Sequence, residues 1–202
     1  MRVFQVLRHT VQHLNQRGYL FIWANILCVV LMLPLVTAPA AWAGLVHFTQ
    51  LSLSQRQVGL EDFWRGFKAN LWRGVGVFAL NLFIVGINTV NLWAYANDPS
   101  LAASLLRPIW AGVLVVWAIL QLYLWPILHH MERPSVLGGL RNAGVMLLLN
   151  PLFTLGVVAS LLVLWALSTV LTAAWLLLTL SVMSIFLTLA VMDRLGIHRY
   201  SE

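Results

Sequence analysis

The sequence predicts an all-α protein: a polytopic transmembrane helical bundle of about six spans with short interfacial amphipathic helices. Three observations predict it. Of 202 residues, 61% are hydrophobic and only 9% are charged, whereas a soluble domain averages about 25% charged residues. The apolar residues gather in runs of the length needed to cross the hydrocarbon core, about 20 helical residues. The basic residues fall between those runs. One threading leaves every Lys and Arg except Arg107 on a single side, as the positive-inside rule requires. The length suits one integral membrane domain, residues 1–202, without a separate soluble domain.

The chain is organised around Leu31–Gly44, LMLPLVTAPAAWAG. From Tyr19 to Val36 the only strongly polar side chain is Asn25, so 19–36 is expected as the first span. Pro34 and Pro39 follow closely. Each removes a backbone donor and clashes with the preceding turn, so the helix should kink or stop there. Ala38, Ala40, Ala41, Ala43 and Gly44 then allow a close approach to another backbone, the usual way membrane helices pack. The second span is expected at 39–54. It is short and holds His47, Thr49, Gln50, Ser52 and Ser54, so a re-entrant segment is the alternative. Charge favours a crossing, because both the N-terminal tail and 56–73 are basic.

Residues 1–18 carry Arg2, Arg8 and Arg17 among apolar residues at near-helical spacing. They read as a short amphipathic helix on the membrane surface or as a frayed basic tail. This segment, the apolar run and Ala41-Trp42-Ala43 mimic a cleaved secretory signal. Cleavage after Ala43 would leave Arg56, Arg65, Lys68 and Arg73 outside, so the segment is expected to stay. Leu60, Phe63, Trp64, Phe67, Leu71 and Trp72 share a helical face, with Glu61 and Asp62 in the first turn where the helix dipole favours them. This helix is expected at the interface.

The remaining spans are expected at 74–96, 108–128, 143–167 and 170–192. Pro108 suits the first position of a helix. Ala143–Met192 is too long for one crossing, and Ser168, Thr169 and Thr172 mark the expected turn. Both termini then lie inside. Trp42, Trp93, Tyr95, Trp110, Trp165 and Trp175 form one aromatic belt, and Tyr19, Trp23, Trp72, Tyr123 and Trp125 the other. Residues 63–68 are faintly similar to 136–141, but six positions in so apolar a chain are the level expected by chance.

Pro34-Leu35-Val36-Thr37, Pro39-Ala40 and the small residues after them resemble the signature of the YesL family of bacterial membrane proteins. Asp62-Phe63-Trp64-Arg65-Gly66-Phe67-Lys68-Ala69-Asn70 is similar to that family's second motif, at the expected distance. The resemblance covers about residues 20–95, and the second half matches only in pattern. It implies a small multi-pass protein, often encoded beside carbohydrate-uptake genes, in the bacterial cell membrane. It implies no catalytic residues.

The chemistry legible in the residues is sparse. There is no phosphate loop, CxxC or HExxH, and no enzyme activity or cofactor is expected. His129 and His130 are adjacent, so their rings diverge, and no third metal ligand accompanies them. The formal charge of +6 is explained by membrane orientation and not by nucleic acid. Cys28 has no intrachain partner. Gly74, Asn81 and Asn88 are spaced by seven, with Asn91 three further on, so they share a helix face. Arg107, Trp110, Trp117, Gln121 and Trp125 share another. These faces have two readings. They line a polar, aromatic-walled cavity for a small sugar, or they hydrogen-bond to each other and fix packing, the commoner role of membrane amides. His47 is a candidate functional residue because ionisable groups within spans are costly. Ser181, Ser184 and Thr188 form a hydroxyl stripe whose ordinary role is to bond local carbonyls. The expected partners are the bilayer, other membrane proteins or a second copy, and a small sugar. Two functions follow: an accessory or small permease in carbohydrate uptake, or a structural subunit of a larger membrane complex.

Overall fold

The computed structural model describes residues 2–54, 57–170, 173 and 175–197. The described chain is helical, and four of its helices are long and apolar enough to cross a membrane: Leu71–Ala94, Leu101–Leu128, Pro151–Val170 and Leu177–Arg194. Two shorter apolar segments, Gly18–Met32 and Val136–Leu149, accompany them. The protein is thus an all-α membrane protein.

Helix α1 runs unbroken from Arg2 to Met32. The basic N-terminal segment is therefore not a separate helix. Gly18 costs a helix only about 1 kcal/mol, too little to break one that is anchored on both sides. Val6 is buried and joins the same core cluster as Phe21, Ala24 and Cys28, and the Thr10 hydroxyl donates to the Val6 carbonyl at 2.9 Å. Beyond Met32 the prolines take effect. A single 3-10 turn, Leu35–Thr37, leads into α2, Ala38–Ser54.

Helix α2 is the centre of the molecule. Nine of its 17 residues are buried, and α1 and the helices Leu60–Ala69, Leu71–Ala94, Leu101–Leu128 and Leu180–Arg194 all pack on it. Of its polar residues, Thr49 and Ser52 are buried. The Thr49 and Ser184 hydroxyls are 2.8 Å apart. Three glycines set the spacing. A Cβ at Gly44 would lie 3.0 Å from the Phe63 carbonyl oxygen, one at Gly66 would lie 2.7 Å from the His47 Cβ, and one at Gly74 would lie 2.6 Å from the Ala40 Cβ.

Helix α3, Leu60–Ala69, folds back along α2. Its apolar face packs on α2 through Phe63 and Phe67, which are buried, while Trp64 on the same face is 43% exposed. The expected helix over 60–72 is divided at Asn70, and Trp72 belongs to the next helix and is 83% exposed. Helix α4 spans Leu71–Ala94 and α5 spans Leu101–Leu128. The start of α5 precedes Pro108 because Ser100 caps it, accepting from the Ala103 N–H at 3.2 Å. The proline lies inside the helix.

Helix α6, Val136–Leu149, packs on α5, and α7 is Pro151–Val170. The expected span at 143–167 is thus two helices. Pro151 forces the break, since the residue before a proline is disfavoured in helical conformation, and Asn150 has φ −134° and ψ 56°. Of the expected turn residues, Ser168 and Thr169 end α7 and Thr172 lies outside the described residues. A π turn, Trp175–Thr179, leads into α8, Leu180–Arg194. The Ser181 N–H donates to Asn25 Oδ1 of α1 at 3.0 Å, and the Ser181 hydroxyl donates to the Phe21 carbonyl at 2.8 Å. Ser181 and Ser184 of the hydroxyl stripe therefore tie α8 to α1 and α2, while the Thr188 hydroxyl is buried without a partner.

The order long helix, short return helix, Asn break, long helix occurs twice, in α2–α4 and α5–α7. Residues 63–68 and 136–141 fall in the return helices, α3 and α6. Asn70 and Asn150 close them, and each offers its side-chain oxygen to an arginine, Arg73 at 3.2 Å and Arg194 at 3.1 Å.

Candidate functional site

The two polar faces expected on α4 and α5 do meet, and they meet directly. Trp117 Nε1 donates to Asn81 Oδ1 at 2.9 Å. Asn88 is buried and donates to the Ile84 carbonyl of its own helix at 2.7 Å, leaving its Oδ1 buried without a partner. Trp110 Nε1 is likewise buried and unpartnered. Counting seven along α4 from Asn81 and seven back along α5 from Trp117 places Asn88 opposite Trp110, the same antiparallel register as the closed pair. Gln121 Nε2 is a third buried polar atom without a partner on these faces, and the second donor after Trp110 Nε1. Asn91 is half-buried at the far end of α4. Arg107, near the start of α5, reaches back to the α4–α5 connection, donating to the Asp98 carbonyl at 2.9 Å and to the Ala96 carbonyl at 3.4 Å.

These residues line none of the three described cavities, which have volumes of about 300, 360 and 430 Å³. A packing role for Asn81 makes a measurable prediction. A double-mutant cycle of Asn81→Leu and Trp117→Phe, read by thermal unfolding in detergent, should return a coupling of about 0.6 kcal/mol and at most about 1.7. Zero coupling would remove the bond from any account of the fold.

The cavities gather at the end of the bundle that holds Arg65, Arg73 and Arg194. His47 and His129 line the first and third cavities, and His130 lines the second and third. Three parts of the chain create this convergence. Gly66 has no side chain, which lets α3 lie against His47. The α5 helix ends at Leu128, placing His129 as its C-cap beside His47, with ring centroids 5.3 Å apart. The Asn70 side chain donates to the Gly66 carbonyl at 2.9 Å and accepts from Arg73 at 3.2 Å, fixing the start of α4.

On the other side, Gln50 Nε2 lies 3.2 Å from His130 Nε2 and donates to the Pro126 carbonyl at 3.3 Å. His129 Nδ1 lies 2.9 Å from the Trp125 carbonyl. A carbonyl only accepts, so Nδ1 carries the proton and Nε2 of neutral His129 is an acceptor. Burial pushes His129 down to about 4. The Trp125 carbonyl opposes the shift, and His47, His130 and Arg73 add to it. Burial also lowers His130. Both are therefore neutral near pH 7. The neighbouring rings diverge, one towards His47 and one towards Gln50. Among the described residues no three His, Cys, Asp or Glu side chains form a metal set.

Of the residues the sequence offered, the structure brings His47 into this site and leaves Asn81, Asn88, Asn91, Arg107, Trp117 and Gln121 outside it. Gln50, Asn70, Arg73, His129 and His130 were not read from the sequence as one site. They come from α2, α4, the α3–α4 junction and the turn that ends α5, and no spacing links them. The one local signal was Gly66, which allows the close approach that builds a wall of the site.

Compared with known proteins, the chain matches no family model, no curated protein and no solved structure. The resemblance to the YesL family rests on Pro34–Thr37, Pro39-Ala40 with the small residues after them, and 62–70.

Proposed function

We propose that this protein is a non-enzymatic, YesL-like membrane protein of the uptake class, an accessory or small permease, that binds a small polar solute such as a sugar in the histidine-lined site. The reading takes that site and the basic residues around it, with both termini, to face the cytoplasm of a bacterial cell. One observation carries the proposal. In a chain with 9% charged residues, polar side chains from α2, the α3–α4 junction and the end of α5 converge on adjoining cavities. Burying polar groups is costly unless they are partnered, so such a gathering needs a purpose beyond packing.

A thermal-shift screen of mono- and oligosaccharides in detergent tests the proposal. A ligand at about a hundred times its dissociation constant should stabilise by about 2.7 kcal/mol. Gln50→Ala should abolish the shift and Asn81→Leu should preserve it. The opposite pattern would place binding on the α4–α5 face.

The second reading is a structural subunit of a larger membrane complex. It is favoured by the Trp117–Asn81 bond, which uses the expected sugar-binding groups for packing. Recovery from native membranes of a stoichiometric complex unrelated to transport, with no solute response, would establish it.

A further inference from the structure

The first cavity differs from its neighbours in charge. Two guanidinium groups, Arg65 and Arg73, line it together with His47, His129 and Asn70. Among its described lining residues none is acidic. Asp62 is not in the lining and pairs with Arg65 at 3.4 Å. We propose that this cavity is a binding site for a phosphate-type anion, either the headgroup of an anionic lipid or a free phosphorylated solute.

The inference rests on reading the histidine-lined region as a ligand site, and it names the chemical class. Arg73 donates one N–H to Asn70 Oδ1 at 3.2 Å. A guanidinium has five donors in a planar fork, so this bond orients the fork without exhausting it. Asn70 is itself held by the Gly66 carbonyl, which makes the arrangement rigid before any ligand arrives. Arg65 has 71% of its side chain exposed, so it can exchange its 3.4 Å pairing with Asp62 for an anion. Arg–phosphate pairs are commonly bidentate and charge-assisted. His129 Nε2, an acceptor in the neutral ring, suits the P–OH of a monoanion. A neutral sugar would use none of the charge.

Inorganic phosphate is the first probe, titrated onto the whole protein in detergent against chloride at matched ionic strength. The second is reconstitution in nanodiscs of phosphatidylcholine with and without phosphatidic acid. Arg73→Gln should weaken the response at least tenfold, Arg73→Lys should recover part of it, and Arg141→Gln, on α6 and outside the cavity, should leave it unchanged. Arg65→Gln, at an exposed position, serves if Arg73→Gln does not fold. A response to free phosphate identifies a soluble ligand. A response only to phosphatidic acid identifies a headgroup. No anion response, or equal weakening by Arg141→Gln, overturns the inference. If neutral sugars then still stabilise the protein through Gln50, the site stands and only its anion class is wrong. If neither class acts, both readings fail.

Discussion

Lowering the pH from 6.5 to 5 is expected to destabilise the folded protein by about 2 kcal/mol through His129 alone. The imidazole is held down to about 4 in the fold against an ordinary value of 6.5. Its folded-state value is depressed, so the unfolded chain takes up the proton first as pH falls. The stability contributed by the neutral ring is complete above pH 6.5 and drains away between 6.5 and about 4, with a total near 3 kcal/mol. His130 shifts in the same direction. The groups facing His129 are His47, His130 and Arg73, all able to carry positive charge, so none of them rescues the protonated form. Thermal unfolding in detergent from pH 7.5 to 5 reads the effect while most carboxylates stay ionised. His129→Gln should flatten the profile. A profile that keeps its slope in that variant would show that the ring is not the titrating group.

Gly74→Ala is expected to destabilise the bundle by about 1–3 kcal/mol, the usual cost of forcing extra atoms into a packed contact. The new Cβ would lie 2.7 Å from the Ala40 backbone nitrogen and 2.8 Å from its Cα. Backbone cannot rotate away as a long side chain can, so α4 would have to move off α2. Gly76→Ala is the internal control. Nothing lies within 4 Å of its Cβ position, and alanine in a helix is better than glycine by about 0.5–1 kcal/mol. The two substitutions should therefore move the melting temperature in opposite directions. Equal effects would mean that α4 does not approach α2 as closely as described.

Residues 34–44 show how far the sequence reaches. The prolines forecast a stop, and the helix ends at Met32 with a single turn before α2. The small residues forecast close packing, and Ala40 and Gly44 are the contact points for Gly74 and for α3. The break at Asn150–Pro151 was equally available from the X-Pro rule, but an unbroken apolar run hides a helix end that needs no polar turn. The segment before Gly18 misled in the opposite way. Its basic residues suggested a separate segment, yet Val6 on one side of Gly18 and Phe21 on the other are held by the same core.

What the sequence determined by itself is the all-α membrane class, the apolar segments and the places where backbone chemistry forbids a helix. These follow from hydropathy, length and proline geometry, properties of one stretch at a time. It also offered the right pair of faces on α4 and α5, because a seven-residue spacing is readable along one helix. Only the tertiary structure decided that those faces bond to each other, that α2 is enclosed by its neighbours, and that His47, Gln50, Asn70, Arg73, His129 and His130 share one site. The physical reason is that such a site is made by how helices cross. The crossings here are set by glycine contacts between residues 19 to 34 positions apart, 44 with 67, 66 with 47 and 74 with 40, and hydropathy along the chain carries no record of them.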